Sequence, residues 1–255
     1  MEPFALLYRD VEEILSVPYY FVDKSLFIKR VIEDPANLLI FCRPRLTGKS
    51  INASLLARFL DYKHKRSPGF KRRLAIYGQE HAGLVQRHAG QYVVILVDWA
   101  ESGVMRASSS HEFKLLLVQY LQALLRDELS KLAASIAQLD NHLPNHISLF
   151  KLLQTDNIWD CTSALGVLAL TMATASENQV FIIVDDFDVV LRKAGELGIY
   201  GNMVKFLTSF YAQAATIAQG HLWKMVAFGT HRLHDDAPFS AMVLNVQEKP
   251  VYSQF

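Results

Sequence analysis

An α/β fold with a mainly parallel five-stranded sheet, flanked by helices and carrying a helical insertion, follows from three features of the 255-residue chain. Of four short apolar runs, the first three are apolar throughout, without the in-and-out alternation of a sheet that has one wet face. That pattern suits parallel strands covered on both sides. Stretches of helical periodicity lie between the runs, as in a strand-helix-strand architecture. The first run also leads through a Gly-Lys-Ser turn directly into a helical pattern.

In chain order, the first strand is expected over 37–42, NLLIFC, and a helix over 50–62. A second strand, YVVILVD, covers 92–98. A long helix over 112–139 follows, with Phe113, Leu116, Leu117, Tyr120, Leu121, Leu124 and Leu125 at helical spacing. Another helix is expected over 162–175, a third strand, VFIIVD, over 180–185, and a helix over 200–219. The fourth strand, 223–229, is interrupted by Lys224, and a weaker fifth lies at 241–246, AMVLNV. The block 112–175 is too long for one crossover, so it reads as an insertion or as a helical layer on one side of the sheet. The whole chain is expected to form a single domain. Residues 1–36 precede the first strand, 37–110 form the first half, 111–178 the helical insertion and 179–255 the second half.

Half of the residues are apolar, enough to bury a sizeable core without covalent staples. A net charge of +1 gives no global field toward nucleic acid or membrane. The one basic cluster, KHKRSPGFKRR at 63–73, reads first as a solvated loop. The two cysteines, Cys42 and Cys161, read as buried thiols in a reducing compartment. The N-terminus lacks a basic region followed by an apolar block, the mark of a secretory signal. The apolar segments fall short of the ~20 residues that cross a bilayer. The expected setting is cytoplasmic, with a nuclear one still open.

The turn after the first strand carries the chemistry. Gly48-Lys49-Ser50 is the second half of the phosphate-loop pattern G-x-x-x-x-G-K-[ST], but Arg43 stands where the first glycine belongs. A strand before it and a helix after it are the context such a loop needs. The helix start presents unpaired N–H groups and a positive dipole end to an anion. Gly48 lets the backbone approach, Lys49 supplies a point charge, and the Ser50 hydroxyl is placed to ligate Mg²⁺. Arg43, Pro44, Arg45, Leu46 and Thr47 form the rest of the loop and Ile51 follows it. Pro44 shapes the turn without glycine, and the two arginines either add charge at the phosphates or face elsewhere.

The third strand ends in Asp185, followed by Asp186 and Asp188. A carboxylate closing a buried strand is costly without a task. In nucleotide-binding loop proteins an aspartate there holds Mg²⁺ through water, and the next acid polarises the attacking water. Asp186 is one methylene shorter than the usual glutamate. A misplacement of ~1 Å can cost about 100-fold in rate. The bland alternative is a solvated acidic turn. An additional strand between the two motifs fits the five-stranded ATPase branch, in which the strand after the acids sits between the two motif strands. That strand ends at Gly229-Thr230-His231-Arg232. Thr230 is a candidate partner for the attacking water and Arg232 a candidate γ-phosphate sensor or a finger toward a neighbour, against the alternative of an exposed turn.

The segments YYFVDKSLFIKRVIE, LLIFCRPRLTGKSINASLLARFLD, IIVDDFD and GTHRLHDDAPFSAM occur in that order. Together they resemble the predicted AAA-ATPase-like family over nearly the whole chain. That family itself places Arg-Pro-Arg where the first glycine would stand, so Arg43 follows the family pattern. The resemblance implies a P-loop nucleoside triphosphatase fold of the ASCE/AAA type and ATP binding and hydrolysis with Mg²⁺. It maps Gly48, Lys49 and Ser50 onto the loop, Asp185 onto the metal-holding acid, and Tyr20, Asp23 and Lys24 onto an N-terminal signature that packs near the adenine or braces the loop. Asp186, Phe187 and Leu46 depart from the family's Glu, Tyr and Arg, and the paired asparagines near 242 are missing. Many relatives continue into a lid and a nuclease-like domain, for which the residues given have no room.

Three functions fit these residues. The leading one is a slowly hydrolysing Mg-ATPase that couples nucleotide state to a protein partner, an attached effector or further copies of itself. The second is a nucleotide-binding switch without turnover. The third, a small-molecule kinase, lacks a recognisable acceptor lid. Nucleic-acid binding has no support from net charge.

Overall fold

The computed structural model describes residues 9–16, 22–64, 74–132, 141 and 148–230. Four strands form one parallel sheet: β1 (Leu38–Cys42), β2 (Val93–Asp98), β3 (Val180–Asp185) and β4 (Leu222–Gly229), in the spatial order β1-β4-β3-β2. The last strand in sequence therefore lies between the loop-bearing strand and the acidic strand, as expected. The expected count of five is corrected to four among the described residues, because 241–246 lies outside them.

Residues of both faces are buried along the sheet, completely in β3 and with only Leu96 exposed in β2, which explains the apolar character of these runs. Successive side chains point to opposite sides. Leu38, Ile40, Val93, Ile95, Val97, Val180, Ile182 and Val184 face one core. Leu39, Val94, Phe181, Ile183, Val226 and Phe228 face the other. Helices α1 (Val11–Ser16), α2 (Leu26–Glu33), α3 (Lys49–Leu60) and α4 (Ala82–His88) cover the second face. The first face is covered by α5 (Ser110–Ser130), α6 (Leu149–Gln154), α7 (Ala164–Ser176), α8 (Asp188–Glu196) and α9 (Tyr200–Ile217). The block read as an insertion thus supplies a helical layer on one face, its buried side chains continuous with the sheet.

Lys224, the residue that weakened the fourth strand on paper, is only 4% exposed. It lies on the α2 face, and its ammonium donates to the carbonyls of Val31 (2.7 Å) and Asp34 (2.6 Å). These carbonyls lie at the C-terminal end of α2, where a helix runs out of its own N–H donors and a cation also meets the negative end of the helix dipole. A charge inside a strand is therefore a helix cap supplied from the neighbouring layer.

One expectation from segment length needs correction. The helical stretch Ile158–Ser176 is long and apolar enough to cross a membrane by length and composition, and 67% of it is buried within the protein. A helix apolar on all sides suits either setting. Here α7 packs between the sheet, α5 and α9. Neither Cys42 nor Cys161 is in a disulfide; the first is half-buried and the second buried.

Candidate functional site

In a parallel sheet all strands deliver their C-terminal ends to one edge, where ligand sites of α/β proteins gather. Four features meet there: the 43–48 turn after β1, Asp98 closing β2, Asp185 and Asp186 closing β3, and Gly229-Thr230 closing β4. A cavity of about 360 Å³ opens between them. Arg45, Leu46, Gly48, Lys49, Ser50 and Ile51 line it from the loop side, and Asp186 and Thr230 from the other.

The loop builds its shape from its own groups. Gly48 adopts φ +81° as N-cap of α3, a conformation glycine takes at little cost. Gly48 makes no side-chain cap to this helix, and Gly48, Lys49, Ser50 and Ile51 at its start line the cavity, where a helix leaves its first N–H groups without intrahelical partners. The Lys49 side chain is buried, and its ammonium donates to the carbonyls of Arg43 (3.1 Å) and Pro44 (3.0 Å). Thr47 donates to the same Pro44 oxygen at 2.9 Å. Lys24 of the N-terminal signature donates to the Thr47 carbonyl at 3.4 Å, so the signature does touch the loop. Asp23 accepts from the backbone N–H groups of Ser25 and Ala75, fixing the turn that positions Lys24. Tyr20 lies outside the described residues.

Three non-glycine residues have positive φ among the described residues, and two of them, Leu46 (φ +65°) and Asp186 (φ +51°), line this cavity. Such conformations cost of order 1 kcal/mol each and persist where the surroundings enforce them. At Asp186 the following ring does so. Phe187 is buried against Gly229, and its backbone N–H donates to the Phe228 carbonyl at 3.2 Å. Thr230 is held in turn by its backbone N–H, which donates to Asp188 at 3.0 Å. Arg232 lies outside the described residues.

The acids form a tighter group than the sequence suggested. Asp98 and Asp185 are register partners on adjacent strands, and with Asp186 they offer carboxylate oxygens within 4.8 Å of one another. Burial pushes the Asp98 carboxyl up to about 7, with Asp185 adding to the effect and Arg9 opposing it. Burial also raises Asp185, against a hydrogen bond from the Ser50 side chain and the charge of Arg9. A single nitrogen of Arg9, Nη2, lies 2.7 Å from Asp98, 3.3 Å from Asp185 and 3.0 Å from Asp186. Three carboxylates beside a serine hydroxyl are a hard-oxygen donor set of the kind that suits Mg²⁺.

Arg9 is steered there by α3. Ser50, Ser54 and Arg58 follow one another at four-residue spacing and so share one stripe of that helix. Ser50 meets Asp185, while Arg58 binds Asp10 (2.9 Å) and Glu12 (2.6 Å), and Ser54 Oγ accepts from the Val11 N–H.

A second cavity, about 370 Å³, lies on the other side of the loop. Phe27, Phe41 and Phe228 form its apolar wall, with Phe41 and Phe228 stacked at 5.4 Å between ring centres. Lys24, Arg30 and Arg43 add positive charge, and Lys49 lines both cavities.

The structure therefore brings the loop, Asp185, Asp186 and Thr230 to one place. Sequence reasoning missed Asp98, Arg9 and Arg192. Asp98 carried a usable signal, since it closes a buried strand just as Asp185 does. Arg192 projects to the cavity from α8, one helical turn after Asp188, at 3.7 Å from its carboxylate. Arg9 is 177 residues from its Asp186 partner and carried no signal.

The family model described as "AAA-ATPase_like: Predicted AAA-ATPase" matches residues 8–237. Among curated proteins and among solved structures, none matches the chain.

Proposed function

The chain belongs to the predicted AAA-ATPase family, and from that premise we propose that it binds Mg-ATP at the sheet edge and hydrolyses it slowly. The observation that carries this reading is that Gly48, Lys49 and Ser50 at the start of α3 share one cavity with Asp186, whose carboxylate clusters with those of Asp98 and Asp185.

In this reading the triphosphate lies over the start of α3, where backbone N–H groups and the helix dipole favour negative charge. Lys49 exchanges its carbonyl partners for phosphate oxygens. Arg45 lines the same cavity and adds charge there, while Arg43 faces the aromatic side. The nucleoside occupies the aromatic cavity, which Lys49 joins to the phosphate side. Ser50 and Asp185 are the residues that would hold Mg²⁺, which supplies charge neutralisation to the phosphates. Asp186 accepts the hydrogen bond that orients the attacking water, and Thr230 gives a second contact. Water adds to the γ-phosphorus, the bond to the ADP oxygen breaks, and the proton passes by way of Asp186 to the released phosphate. Arg232 is the proposed γ-phosphate sensor, and the nucleotide state is passed to a protein partner, an attached effector or a second copy.

A non-hydrolysing switch is the second reading, favoured by the short arm of Asp186 and its engagement with Arg9 at 3.0 Å. Equilibrium binding and phosphate release, measured on wild type and Lys49→Ala, separate these. Saturable release abolished by the substitution supports the enzyme, binding without release supports the switch, and absence of binding contradicts both.

A further inference from the structure

We propose that the oxygens of Asp98, Asp185 and Asp186 hold either the guanidinium of Arg9 or a divalent cation, and that the two cations exchange when the site is loaded. This deepens the reading above and rests on it. Asp98 becomes a third acid of the cation site, and Arg9 its resident occupant in the metal-free protein.

The exclusion is geometric. All three contacts from Arg9 go to the Oδ2 oxygens, which converge on the one nitrogen at 2.7–3.3 Å. A divalent ion binding these oxygens draws them in to about 2.0–2.1 Å for Mg²⁺ and fills the space at their centre. The nitrogen cannot remain there. The cluster also has an electrostatic need for a cation, since Asp185 is only 2% exposed and three acids repel one another inside 4.8 Å. An Arg side chain 42% exposed meets that need from the solvent side and has a route outward.

The backbone that carries Arg9 stays in place during exchange. Asp10 and Glu12 are bound to Arg58, and the Val11 N–H is bound to Ser54, all independently of the acids. The moving part is therefore the Arg9 side chain, beside a fixed Asp10. Because Ser50, Ser54 and Arg58 share one stripe of α3, the helix that presents the phosphate site also holds this fixed point.

Mn²⁺ without nucleotide, titrated into wild type, Arg9→Ala and Arg9→Lys and followed by the paramagnetic resonance of free Mn²⁺, tests the exchange. Removing the competitor should tighten Mn²⁺ binding about tenfold or more in Arg9→Ala, with Arg9→Lys between the two. Saturating Mn²⁺ should raise the melting temperature of Arg9→Ala more than that of wild type, and Asp98→Asn should weaken Mn²⁺ in every background. Equal affinities and equal melting increments in wild type and both Arg9 variants, or no Mn²⁺ binding at all, would overturn the exchange. ATP binding in EDTA reports on the loop alone, so its loss would count against the nucleotide site and leave the exchange to be judged on Mn²⁺.

Discussion

Adding one methyl group at Gly229 tests how the fold sets the sheet edge at which the candidate site lies. Gly229 ends β4, and a Cβ there would run into the buried ring of Phe187, with Cζ at 2.6 Å. The ring cannot swing to solvent, because it is 1% exposed and sits in the core under α8. Overpacking of this kind costs about 1–3 kcal/mol. The alanine also reduces the freedom of the unfolded chain, which returns roughly 0.4–1 kcal/mol. The net expectation is a loss of about 1–2 kcal/mol, or roughly 2–8 °C in Tm for a chain of this size. Urea unfolding followed by far-ultraviolet circular dichroism measures it. Phe187 directly follows Asp186, so its displacement also releases the positive-φ turn, and nucleotide turnover should fall by more than binding does. The double variant Gly229→Ala with Phe187→Leu should recover part of the stability. A single variant within about 0.3 kcal/mol of wild type would refute the packing argument, as would a double variant whose losses simply add.

Other substitutions probe separate links. Lys224→Met strips the cap from the α2 carbonyls and should cost about 1–2 kcal/mol, read from the urea midpoint. Burial lowers the Lys224 pKa below 10.5, so the folded state holds its proton less tightly than the unfolded chain. Wild-type stability should therefore gain a component that rises with pH up to about 10.5 and is lost as pH falls through the folded value, and Lys224→Met should lack it. Arg58→Ala removes the shared partner of Asp10 and Glu12, and because those acids are substantially exposed it should cost only ~0.5–1 kcal/mol. Amide exchange over 11–16 should nevertheless rise, which mass spectrometry would detect. Asp186→Asn should leave ATP affinity within about threefold while lowering phosphate release about 100-fold or more, as expected for a group that orients water.

How much of this was legible in the sequence depended on the range of the interaction. Burial on both faces leaves a local trace, so VFIIVD at Val180–Asp185 reads directly as β3, and Leu38–Cys42 and Val93–Asp98 differ from expectation by one residue each. The Gly48-Lys49-Ser50 helix start was legible for the same reason, since a loop and its helix are consecutive. Lys224 misled because its partners, the carbonyls of Val31 and Asp34, come from a helix some 190 residues away. Helix α8 was not anticipated, although Asp188 opens a helix almost immediately after the acidic end of β3. The acid cluster required the register of β2 against β3, which no local pattern encodes. Arg9 required that register and the α1–α3 anchor together.

The central claim is that one cavity at the sheet edge holds Mg-ATP, with the α3 N-terminus and Lys49 on one side and the acids on the other. Isothermal titration of Mg-ATP into wild type and Lys49→Ala, both shown to be folded by circular dichroism, tests it most directly. The account predicts a saturable one-site isotherm for wild type and at least about tenfold weaker binding for the variant, a loss of ~1.4 kcal/mol. Equal heats of binding in the two proteins, or none in either, would contradict it.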